Sequence, residues 1–157
     1  MTTKEIENKL FKYFHKSIAV IDKIKGLHVN GIQEINGTLM RIQPVIFHEC
    51  DILAVSEAGY ATEVEIKISI SDLKADFKKE HNHKSEVIKN FYYCVPENLL
   101  EKALPIIPLT CGILLATEIG IKKYRTCKKN KKARAMSERE IAEIWRLSMF
   151  RYLNSRK

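Results

Sequence analysis

The sequence predicts an α/β fold, a mixed sheet with helices packed on it. Three observations carry that expectation. Apolar residues recur every four positions near the N-terminus, three apolar-rich extended runs follow between turn signals, and a helical pattern then returns before a compact apolar run. At 157 residues the chain is expected to form a single domain spanning 1–157.

In residues 3–18, Ile6, Leu10, Phe14 and Ile18 line one side with Phe11 beside them, while Lys4, Lys9, Lys12 and Lys16 fall mostly opposite. That is an amphipathic helix. Gly26, Asn30-Gly31 and Asn36-Gly37 punctuate the chain as turns. Three strands are expected over residues 38–47, 49–55 and 61–68, with Gly59 in the last turn. A helix should begin at residue 71, with Asp72 in its first turn and Leu73 and Phe77 on one face. Residues 91–95 read as a buried strand ending at Pro96, and residues 98–104 as a short helix before Pro105 and Pro108. Residues 112–117 and 121–126 suggest a hairpin around Gly120. Ser137 followed by Glu140 is a capping-box pattern that opens a last helix to about residue 153. The three-strand run reads as a meander, joined to the 91–95 strand by a helical crossover.

Composition narrows the partners. Twenty-seven Lys and Arg against nineteen Asp and Glu leave a formal charge of +8. This surplus favours a polyanion, because cations that neutralise phosphates release condensed counterions. No run approaches the about 20 consecutive apolar residues of a membrane helix, so no membrane partner is expected. The N-terminus carries charges throughout and lacks the pattern of a secretory signal. Cys50, Cys94, Cys111 and Cys127 contain no CxxC pair and read as free thiols of a reducing compartment. A cytoplasmic location is the expectation.

The chemistry concentrates on two neighbouring strands. Alternation puts Asp51 on the side opposite Cys50 and Ile52. Glu63, Glu65 and Lys67 share one face, with Val64, Ile66 and Ile68 directed to the core on the other. A short turn at residues 57–60 makes the strands antiparallel, so Asp51 comes beside Glu65. Two carboxylates and an ammonium then converge. Hard divalent cations such as Mg²⁺ take one or two carboxylates and complete their shell with waters and phosphate. The backbone carbonyl of Ile66 is a further oxygen ligand candidate. This all-oxygen set suits Mg²⁺ or Mn²⁺ and not structural zinc. Without DNA, Lys67 should lie close to one of the two acids.

Residues 48–97 contain Asp51, then Val64-Glu65-Ile66-Lys67, then Asp72 through Asp76 with Lys78, then the 91–95 strand. In this order they resemble the core of the PD-(D/E)xK nuclease superfamily, and most closely its MmcB-like DNA-repair branch. The resemblance implies a restriction-endonuclease-like core of helix, three-stranded meander, helix and strand. It further implies Mg²⁺-dependent hydrolysis of DNA phosphodiesters, with Asp51 and Glu65 as metal ligands and Lys67 beside the attacking water. Cys50 stands where the superfamily name has proline. Many members add an acid from the first helix, for which Glu7 is the better placed candidate, although its ordinary reading is a solvated helix-end glutamate.

Two basic regions are candidates for holding DNA. Lys74, Lys78, Lys79 and Lys84 follow the motif, on or near a helix whose outer face is rich in lysine. Between Glu118 and Glu138 there is no acid, and Lys128, Lys129, Lys131 and Lys132 lie in the densest part of that stretch. His81 and His83 lack a further ligand at zinc spacing. Tyr92 and Tyr93 could stack on bases, but at least one is expected in the core. Trp145, Leu147, Met149 and Phe150 read as packing residues, including against a second copy. A Holliday-junction resolvase on the same core would need such a homodimer. A DNA-binding module that does not cleave is the remaining alternative.

Overall fold

The computed structural model describes residues 1–27, 32–35, 38–41, 46–78 and 85–155. Their strands form a six-stranded open mixed sheet of order β1-β4-β5-β6-β7-β8 and a separate pair, β2-β3. The strands are β1 (Ala19–Leu27), β2 (Ile32–Ile35), β3 (Thr38–Arg41), β4 (Ile46–Val55), β5 (Ala61–Ile66), β6 (Ile88–Pro96), β7 (Gly112–Ala116) and β8 (Ile121–Arg125). The helices are α1 (Thr3–Tyr13), α2 (Ile70–Asp76), α3 (Leu100–Ala103) and α4 (Glu138–Asn154). β1, β4 and β5 form an antiparallel run; β5, β6 and β7 run parallel, and β8 returns antiparallel.

The meander therefore differs from its sequence expectation in its first strand. That strand is β1; of the expected 38–47 run, residues 42–45 lie outside the described residues. Residues 38–41 pair with β2 in the small second sheet, and β4 runs unbroken through His48. Alternation conceals β1 because Ile21 and Ile24, three apart, sit in the same apolar cluster. The helix expected to reach residue 18 ends at Tyr13, which leaves Ile18 exposed.

α1 starts in a full capping box: Thr2 Oγ1 accepts from the Glu5 N–H at 3.3 Å, and Glu5 Oε2 accepts from the Thr2 N–H at 2.6 Å. Its Ile6 and Leu10 cover one sheet face, against Ile52, Val64, Ile66, Tyr92, Cys94 and Leu114. The other face is covered in two parts. Ile141 and Ile144 of α4 close over Ile21, Ile24, Cys50, Leu53 and Val55. Leu73 of α2 and Ala103 of α3 close over Tyr93, Val95, Ile113 and Leu115. Both faces of the central strands are thus covered, and Glu63, Glu65 and Lys67 lie on the face shared by the two parts.

Two glycines are required by position. Gly59, at φ +77°, closes the β4–β5 turn with its N–H on the Ser56 carbonyl at 2.8 Å. At Gly112, a Cβ would meet the Tyr92 ring at 2.2 Å. α4 opens as its sequence predicts, with Ser137 and Glu140 in a capping box. Of its Trp145, Leu147, Met149 and Phe150, expected to pack in the chain or against a second copy, only Leu147 joins the core of the chain, and the other three are more than half exposed in it. No helix among the described residues is long and apolar enough to cross a membrane.

Candidate active site

The β4–β5 ladder registers Val55 on Ala61 through Ile52 on Val64. One step further, at Asp51 and Glu65, side chains take over from the backbone. The Ile66 N–H donates to Asp51 Oδ2 at 2.8 Å, and the Asp51 N–H donates to Glu65 Oε1 at 3.4 Å. The Lys67 N–H belongs to the β6 side, donating to the Cys94 carbonyl at 3.0 Å. Ile66 therefore turns its own N–H and carbonyl toward β4, beside Asp51.

A change of phase in two strands makes this opening. Cys50 and Leu53 share one cluster while Ile52 belongs to the other, so the expected alternation of Cys50 with Ile52 is broken at Asp51. β1 breaks at the same level. Lys23, between the Asp22–Ile52 and Ile24–Cys50 pairs, has φ +45°. A non-glycine residue held there is strained.

Lys67 is nearly enclosed, at 3% exposure. Its ammonium donates to Glu65 Oε2 at 2.9 Å and to Asp76 Oδ1 at 3.0 Å. Asp76 in turn accepts from the Tyr93 hydroxyl at 2.9 Å. The local sequence explains how Asp76 arrives. Ser69 caps α2 by accepting from the Asp72 N–H at 3.1 Å, and Leu73 and Asp76, three apart, both turn to the sheet. The sequence motif includes Asp76 without giving it a role, and it marks Tyr93 only as a stacking or core residue. Phe77 and Ile68, expected inward, are exposed.

The electrostatics follow from this crowding. Burial, then the neighbouring Asp51 charge, raise the Glu65 carboxyl from 4.5 to about 7, although Lys67 opposes the shift. Burial works against the Lys67 ammonium, but Glu65 and Asp76 outweigh it and hold its pKa above the ordinary value. Burial and Asp76 push the Tyr93 hydroxyl upward, so it stays a donor. The lysine is charged and immobilised, while Glu65 carries its charge at a cost. A divalent cation between Asp51, Glu65 and the Ile66 carbonyl would remove that cost, and the donors are the hard oxygens it prefers. In that sense the residues fit Mg²⁺ or Mn²⁺.

Glu7 corrects its sequence reading. It is buried, not solvated, and its carboxylate faces Lys4 at 3.1 Å and Lys23 at 3.3 Å. Its link to the site is indirect, through the β1 residue that stands across from Asp51.

The basic candidates divide. Lys74 and Lys78 are exposed on or just after α2, near Asp76. Lys79 and Lys84, with His81 and His83, lie outside the described residues. Lys128, Lys129, Lys131 and Lys132 are exposed on a segment strapped across the opposite end of the sheet. There the Lys128, Asn130, Arg134 and Met136 N–H groups donate to the carbonyls of Thr110, Lys89, Glu86 and Gly59. Arg134 is occupied by Glu86 and Glu140, each at 2.7 Å. Since this strap meets β5 near Ala61, it sits about 13 Å along the strand from Glu65.

No protein-family model matches the chain, and no curated protein matches it. Among solved structures it is similar to a protein of unknown function from Silicibacter pomeroyi, with a TM-score of 0.62 and 14% identity, over 99% of this chain and 91% of that one. The likeness extends to the fold and carries no activity with it.

Proposed function

We propose that the chain is a Mg²⁺- or Mn²⁺-dependent deoxyribonuclease of the PD-(D/E)xK superfamily, built on a restriction-endonuclease-like core. The observation that carries this reading is the opening of the β4–β5 ladder at Asp51 and Glu65, with Lys67 against Glu65. The order of helix, three antiparallel strands, helix and parallel strand also supports it, once the β2–β3 pair is set aside as an insertion.

Asp51, Glu65 and the Ile66 carbonyl are the residues that would hold the metal. A divalent ion bound there supplies a more acidic water and neutralises charge on the scissile phosphate. Lys67 contributes a fixed positive charge at the edge of the acid pair, suited to orienting a water or meeting phosphate oxygen. Asp76 and Tyr93 are positioning residues, because they act on Lys67 and need touch no substrate. Lys74 and Lys78 would contact the DNA backbone near the site, and the strap lysines more distant phosphates.

The test is cleavage of labelled single-stranded, duplex, flap, mismatched and four-way DNAs with Mg²⁺ or Mn²⁺, alongside an RNA control. The proposal requires a metal-dependent product that disappears in Asp51→Asn and Glu65→Gln. An Asp51→Asn protein that cuts as fast as the wild type would refute it. DNA binding without cleavage of any substrate would favour a non-cleaving module.

A further inference from the structure

We infer that His48, Cys50 and Glu63 form a second metal site, taking a zinc-class cation and pinning β4 to β5 beside the acid pair. This inference stands independently of the nuclease reading. His48 and Cys50 lie two apart on β4, and Glu63 lies on the adjacent strand β5. His48 Nε2 is 2.8 Å from Glu63 Oε1 and 3.5 Å from Cys50 Sγ. One ligand atom from each of the three residues falls within 4.8 Å of the others. Donors this close can meet one ion at ordinary bond lengths with small rotations of the side chains.

Burial supports the assignment. Cys50 and Glu63 are 0% exposed and His48 4%, and Cys50 belongs to the apolar cluster of Ile24, Ile46, Leu53 and Val55. A bound cation offsets the cost of burying a carboxylate and a thiolate together. A dication with one thiolate, one carboxylate and one neutral imidazole sums to zero charge.

The donor set also selects the ion. Nitrogen and sulfur ligands suit Zn²⁺, Fe²⁺ or Co²⁺ and do not suit Mg²⁺, which takes oxygen. His48, Cys50 and Glu63 supply three donors, and the fourth position of a tetrahedral ion falls to a further ligand such as water. With all three protein donors buried, the role of the ion is to hold β4 against β5. It would tie the strands together next to Asp51 and two residues from Glu65, just where the ladder opens.

The experiment uses the full chain, unfolded with chelator and refolded with Zn²⁺ or Co²⁺, then passed through a desalting column. The site requires about one ion retained per chain, a thiolate-to-cobalt charge-transfer band in the near ultraviolet, and a higher melting midpoint than the metal-free chain. Mg²⁺ should produce none of these. Cys50→Ser should lose the band and lower cobalt retention by tenfold or more. Cys94→Ser, a buried cysteine in the α1-side cluster, should keep both. Failure of the wild-type chain to retain zinc or cobalt overturns the inference, as does retained cobalt without a thiolate band. Both outcomes are read on the wild type alone, so they hold even where Cys50→Ser does not fold. Loss of the band in Cys94→Ser with its persistence in Cys50→Ser would also overturn it.

Discussion

Replacing Glu65 by Gln should stabilise the protein, and by an amount that grows with pH. In the folded chain the carboxyl titrates at about 7 in place of 4.5, chiefly because it is buried and secondarily because Asp51 lies beside it. The sign follows from proton counts. Between pH 4.5 and about 7 the folded state holds a proton that the unfolded state has released, so stability falls as pH rises through that window. Below it both states are protonated, and the side chain behaves as a neutral acceptor for Lys67. Above it the wild type carries a penalty of about 3 kcal/mol. Gln resembles the protonated acid in shape and can still accept from Lys67, so the variant escapes the penalty. For a chain of this size the difference corresponds to about 6–12 °C in melting midpoint. The measurement is urea or thermal unfolding of both proteins from about pH 5 to about pH 8 with chelator present, so that no metal occupies the acids. The curves should lie close together at the acid end and separate toward the alkaline end, Glu65→Gln the more stable. Parallel curves, or a variant that loses ground as pH rises, would refute the account of Glu65 as a charge held at a cost.

Lys67→Ala should abolish cleavage and also cost about 3–5 kcal/mol of stability, because it strands the buried Glu65 and Asp76 charges; urea titration at pH 8 separates the two effects. Tyr93→Phe removes one hydrogen bond to Asp76 and should cost about 1 kcal/mol. Because the Asp76 bond to Lys67 survives, turnover should fall modestly with KM unchanged, as steady-state kinetics will report. Changing Lys128, Lys129, Lys131 and Lys132 to Gln should weaken duplex binding and flatten its salt dependence. Each phosphate that is no longer neutralised takes about 0.9 from the log–log slope, and an unchanged slope would show that the strap does not touch DNA.

Periodicity in the sequence determined much of the secondary structure. The spacing of Ile6 and Leu10, the Ser137–Glu140 capping box, Gly59 in its turn and the alternation of Val64 and Ile66 against Glu63, Glu65 and Lys67 are local signals, set by helix and strand geometry. The nearness of Asp51 to Glu65 was also legible, since a short turn leaves antiparallel strands few registers. Other features depended on contacts between distant segments. β1 was hidden because the chain changes phase at Lys23, and nothing local marks a residue held at positive φ. Glu7 has the sequence context of a solvated helix end, but its carboxylate is buried and Lys23, itself exposed, reaches it from β1. Asp76 reaches Lys67 only because α2 folds back over the sheet, and Tyr93 reaches Asp76 only because β6 lies parallel to β5. The acid-bearing face is also buried where a half-exposed strand is the natural reading. Alternation shows which residues share a face, but coverage of that face is decided by α2, α3 and α4, which the strand's own residues do not encode.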